Sequence, residues 1–69
     1  MDANELIAHP SLRREFQRFR RLGGHIETDK NKITLFPVVI PPEVAEAFAQ
    51  RIRNLDTESL LEVSVKSTA

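Results

Sequence analysis

The 69-residue sequence predicts a small α+β fold, because two stretches carry apolar residues at helical spacing and the segment between them alternates with period two. The expected order is a short N-terminal helix, a helix, a β-hairpin, a helix and a short terminal helix. Residues 1–69 are read as a single domain, since a chain of this length buries only about 60% of its unfolded surface and supports one core.

Asp2, with Glu5 three residues later, has the form of a capping box and predicts a helix from about Ala3 to Ala8, within an N-terminal arm of residues 1–10. Pro10 stops that helix and suits the first turn of the next, where its missing N–H would be unpaired anyway. From Ser11 onward, Leu12, Phe16, Phe19 and Leu22 form one apolar stripe, and Gly23-Gly24 is read as the helix C-cap. At about 100° per residue the arginines fall on the opposite arc, with Arg14, Arg18 and Arg21 in one row and Arg13 and Arg20 in a second.

His25 to Phe36 changes period and reads as a β-hairpin around Asp29-Lys30-Asn31, with Asn31 able to take the left-handed conformation. Ile26, Ile33 and Leu35 are expected in the core, with Thr34 and Phe36 pointing the other way. Pro37 cannot donate to a ladder and belongs on an edge or at a strand end. Val38 to Ile40 reads as an extended link. Pro41-Pro42-Glu43 then opens a helix with Val44, Ala45, Phe48, Ile52 and Leu55 on its core face and Glu46, Gln50 and Arg53 opposite. After a cap at Asp56 or Thr57 the pattern is ambiguous. Leu60, Leu61 and Val63 suit a helix, whereas Leu61, Val63 and Val65 alternating with Glu62 and Ser64 suit a strand; helix is the favoured reading. Ser67 to Ala69 are expected to fray.

Hydrophobic residues at 41% and charged residues at 29% match a soluble globular chain and exclude a disordered one. The chain has no cysteine, so neither a disulfide nor a thiolate metal site can staple the core, and self-association into a homodimer is one way such a scaffold gains stability. That absence, with no long apolar run or apolar leader, leads to the expectation of a cytoplasmic protein away from membranes. Ten basic and ten acidic residues cancel to zero net charge. The distribution is uneven, however: residues 11–22 hold five arginines against one glutamate, a local charge of +4, and residues 41–62 hold five acids against two arginines, a local charge of −3.

Little here points to catalysis. His9 and His25 are the only histidines, and no His or carboxylate pair has metal-site spacing on a predicted helix. Ser11, Ser59 and Ser64 lie in no strand-turn-helix elbow. Gly23-Gly24 follows a helix and precedes a strand, the reverse of a phosphate loop. No enzyme activity, cofactor or metal is expected. Three readings remain for the arginine face: solvation or internal pairing with the acidic half, contact with nucleic-acid phosphates, or contact with an acidic protein partner. Phe36, beside Val38, would mark an apolar edge of the hairpin where an extended partner strand could add.

The residues Leu12-Arg13-Arg14-Glu15-Phe16, Arg20-Arg21-Leu22-Gly23-Gly24, His25-Ile26-Glu27, Lys32-Ile33-Thr34-Leu35, Pro42-Glu43-Val44 and Ser59-Leu60-Leu61 give an order of basic helix, glycine pair, hairpin, proline-started helix and leucine-rich end. That order resembles the TubC-type N-terminal docking domain of nonribosomal peptide synthetase and polyketide assembly lines, over roughly residues 12–63. The resemblance implies an α-ββ-αα fold that dimerises and receives a short acidic segment along its hairpin. The matching positions are Lys32, Thr34 and Phe36, with nearby arginines as charge partners. A second resemblance is to ribbon-helix-helix repressors, because Ile33-Thr34-Leu35 runs through Ile40-Pro41-Pro42-Glu43-Val44 into a helix. Pro37 interrupts that ribbon.

The reading adopted is a non-enzymatic docking or adaptor module. It binds an acidic or extended protein segment through Arg13, Arg14, Arg18, Arg20, Arg21, Lys32, Thr34 and Phe36. The alternative is a small DNA-binding regulator that uses the same arginine helix.

Overall fold

Three helices and three strands follow one another as α1 (Ala3–Ile7), α2 (Arg13–Arg21), β1 (His25–Asp29), β2 (Lys32–Phe36), α3 (Pro42–Leu55) and β3 (Glu62–Val65). The computed structural model of the chain describes residues 2–57 and 61–66. The expected fraying of Ser67–Ala69 falls outside those residues, as do Ser59 and Leu60. The Cα radius of gyration of 11.0 Å matches the ~11 Å expected of a single domain of this length.

The local signals near the N-terminus are realised. The Asp2 carboxylate accepts the Glu5 N–H at 2.8 Å, satisfying one of the orphan donors of α1. Ala3 and Leu6 from this one-and-a-half-turn helix are fully buried. The turn to α2 is built on His9, whose carbonyl accepts the N–H groups of Leu12 and Arg13 and whose Nδ1 accepts that of Ser11. At its other end α2 closes with Gly23, at φ 100°, donating to the Arg20 carbonyl and Gly24 donating to that of Phe19. This is the paired hydrogen-bond pattern of a Schellman cap.

The apolar faces are rotated slightly from their expected positions. Leu12, Phe16 and Phe19 are buried, but Leu22, which continues the stripe on paper, is 50% exposed because it turns about 60° beyond Phe19 toward solvent. In α3 the core face is Ala45, Phe48, Ala49 and Ile52, not the predicted face that includes Val44. Val44 is half-exposed. Phe48 stacks edge-on against Phe16 with ring centroids 4.9 Å apart, so the aromatic contact sets the rotation of both helices.

The hairpin has the predicted strands and a two-residue connection, Lys30-Asn31, with Ile26 opposite Leu35 and Thr28 opposite Ile33. Asn31 does not adopt the left-handed conformation; Val38 is the one non-glycine residue with positive φ among the described residues. The Asp29 carboxylate accepts the Lys30 N–H instead and shapes the turn locally.

Two expectations are corrected beyond the hairpin. Val38 to Ile40 is a tight turn, not an extended link: the Ile40 N–H reaches the Pro37 carbonyl at 2.8 Å, and Val38 has φ 55°. Buried Pro37 and the need to double back into α3 force this reversal, and a β-branched residue held there carries strain of about 1–3 kcal/mol.

The larger correction concerns the terminal element, which is a strand and not a helix. Glu62–Val65 pairs in parallel with β2, Val63 beside Ile33 and Ser64 beside Thr34. Tertiary contact decides between two patterns that local propensity left close, since Val63 becomes buried beside Ile33 on the core face. The crossover is fastened by Asp56, whose buried carboxylate accepts the Leu61 N–H at 2.8 Å, and by Arg53, which donates to the Val63 carbonyl at 2.9 Å. The α+β class stands, while the terminal helix implied by the docking-domain resemblance is replaced by a sheet strand.

The sheet order is therefore β1-β2-β3, with β2 in the middle. Ile26, Ile33, Leu35 and Val63 face the helices, forming one core with Leu6, Phe16, Phe48 and Ile52. His25, Glu27, Lys32, Thr34, Phe36, Glu62 and Ser64 share the opposite face by register. No helix among the described residues is long and apolar enough to cross a membrane.

Candidate partner-binding surfaces

The sheet separates the eight predicted contact residues into two groups. Arg13, Arg14, Arg18, Arg20 and Arg21 project from the solvent side of α2, whose other side packs on the core. Lys32, Thr34 and Phe36 lie across the sheet, on the face turned away from that core. The sheet thus stands between the α2 arginines and a segment lying over Lys32 and Phe36.

A partner strand cannot add along β2 either, because β1 and β3 occupy both of its edges. The same pairing removes the ribbon-helix-helix reading, which needs that strand free to pair with a second chain. Thr34 is 7% exposed despite facing outward, shielded as the middle residue of the middle strand. Phe36 is half-buried with its ring centroid 5.6 Å from that of His25. Lys32, Thr34 and Phe36, together with Glu27, Asp29 and Lys66, line a shallow concavity of mixed charge. Both outer strands keep an edge outside the ladder; on β3 the Val63 carbonyl accepts from Arg53, whereas no backbone–backbone hydrogen bond among the described residues uses the main chain of β1 outside the ladder.

Around α2 the charges follow the solvated form of the first reading, not its internally paired form. Internal pairing of the arginines with the acidic half does not occur among the described residues. The ion pair between α2 and α3 has the reverse sense, Glu15 of α2 to Arg51 of α3 at 2.9 Å. All five α2 arginines are exposed and without a carboxylate within ion-pair distance among the described residues. Arg18, Arg20 and Arg21 sit in the last turn, where the negative end of the helix dipole favours them.

Sequence reasoning missed a groove of about 260 Å³ between α2 and α3. Phe19, Phe48 and Ile40 form its floor, Leu22, Val44 and Ala47 its walls, and Arg18 with the Glu15–Arg51 pair its rim. A signal for it was present in the helical periodicity: Val44 and Arg51 are seven residues apart on one row of α3, and a charged member marks that row as a boundary, not a core face. Val39, 73% exposed, extends this apolar surface past Gly23.

Among the described residues no group of three His, Asp or Glu side chains is placed to hold a metal ion. His9 is engaged in the α1–α2 turn, and His25 approaches Glu27 at 3.5 Å in an exposed pair. Comparison with family models, with curated proteins and with solved structures gave no match to this chain. The docking-domain resemblance thus rests on the residue pattern alone.

Proposed function

We propose that this chain is a non-enzymatic protein-interaction module that holds an acidic or extended segment of a partner protein. The arginine face of α2 is the main contact surface, and the open edge of β1 takes over the strand-addition role first assigned to the second hairpin strand. The observation that carries the proposal is the set of five exposed α2 arginines without ion-pair partners among the described residues, in a chain with zero net charge. A solvated charge costs nothing to keep exposed, but a cluster of like charges on a nine-residue helix repels itself and gains from an anionic partner. Arginine suits that role because its planar fork binds carboxylates bidentately.

The same face could contact duplex phosphates, and one titration separates the two classes. A labelled peptide rich in Glu and Asp, and a mixed-sequence DNA duplex, are each titrated with the full chain at about 50 mM salt. The peptide is expected to bind, and Arg14→Ser with Arg18→Ser to weaken it about tenfold or more. Preferential retention of the duplex, with affinity falling steeply as salt rises, would transfer the function to a nucleic-acid regulator. Binding of neither ligand would remove the arginine face from consideration.

A further inference from the structure

The groove between α2 and α3 adds information that the arginine row lacks. Leu22 and Val44, 50% and 49% exposed, line the groove, and Val39, 73% exposed, lies beside Gly23, the residue next to Leu22 in the chain. Val39 is held outward by the Pro37–Ile40 turn, in which Val38 occupies a backbone region where glycine would be at ease. The turn thus leaves a large apolar side chain in solvent next to the groove's own exposed Leu22 and Val44.

Charge decides what covers it. With Arg51 neutralised by Glu15, the open side of the groove keeps Arg14, Arg18 and Arg21. A second copy packed groove to groove brings no free carboxylate from this lining, because its one acid, Glu15, is already held by Arg51. A partner with carboxylates is attracted instead. The three arginines occupy positions i, i+4 and i+7 and so span about 10 Å of helix, the spacing that carboxylates one and two turns apart on a neighbouring helix would match.

We infer that the α2–α3 groove receives an acidic amphipathic helix from a partner protein. Its apolar side chains seat against Phe19, Leu22, Ile40 and Val44, and its carboxylates run along Arg14, Arg18 and Arg21. This is the helix-in-groove mode of recognition, and it rests on the arginine-face reading while specifying the form of the ligand.

Two synthetic peptides of identical composition test it with the full chain. One carries Leu at alternating third and fourth positions with Glu along the flank, and the other is a scrambled order. The periodic peptide is expected to bind about tenfold tighter than the scrambled one and to gain helicity on binding, read by anisotropy and circular dichroism. Leu22→Ser and Val44→Ser, each at a half-exposed position, are expected to loosen it about tenfold with the thermal melt unchanged. Equal affinity for the two peptides would overturn the groove while leaving the arginine face as a charge-only site. Absence of binding to both would overturn both. Sedimentation as a dimer that Val44→Ser dissociates would assign the groove to a second copy of the chain and overturn the partner helix.

Discussion

Gly24→Ala is expected to destabilise the fold although it adds one methyl group. A Cβ at that position would lie 2.3 and 2.6 Å from two carbons of the Phe19 ring and 2.8 Å from the terminal carbon of Ile40. Carbon atoms in contact prefer about 3.5–4.0 Å, so the ring would have to retreat by about an ångström or more. It has little room. Phe19 is 4% exposed and lies against Phe48, which in turn meets Phe16. Overpacking of this kind costs about 1–3 kcal/mol, and the stiffer unfolded chain returns about 0.4–1 kcal/mol. A net loss of about 1–2 kcal/mol corresponds, in a domain of this size, to a melting temperature lower by roughly 5–15 °C. The chain has neither tryptophan nor tyrosine, so far-ultraviolet circular dichroism is the appropriate probe. A melting temperature equal to or above that of the parent chain would refute the packing argument.

Asp56→Ala should lower the urea midpoint at unchanged slope by an amount equivalent to about 1–3 kcal/mol, because the partly buried Leu61 N–H loses its acceptor where the chain crosses to β3. An unchanged midpoint would show that this bond does not anchor the strand. Val38→Gly should raise the melting temperature, since release of about 1–3 kcal/mol of backbone strain exceeds the roughly 0.5–1 kcal/mol entropic cost of glycine. A lowered melting temperature would mean that the turn is not strained.

Much of the local structure was legible in the residue order. The Asp2 cap, the Gly23-Gly24 stop, the arginine arc and the hairpin strands all depend on groups within a few residues of one another. The candidate site was legible only in part. Its arginines were visible as a charge run, whereas their separation from Lys32, Thr34 and Phe36 by the sheet was not, because the side of a sheet on which a helix packs is a long-range outcome. The groove was hidden for a similar reason. Val44 fits either an apolar face or its border, and only the docking of Phe48 against Phe16 rotates it to the border.

By itself the sequence determined the α+β class and five of the six elements, since hydrophobic period, caps and turn residues act through neighbours along the chain. It also determined that an arginine-rich helix would present its charges outward. The tertiary structure alone decided that the last element is a strand, that β2 is a central strand without a free edge, and that α2 and α3 meet through Glu15 and Arg51 while the five arginines stay without partners among the described residues. Each of these outcomes depends on which distant surfaces meet. Val63 gains burial only beside Ile33, and an ion pair forms only where helix packing brings its two ends within reach.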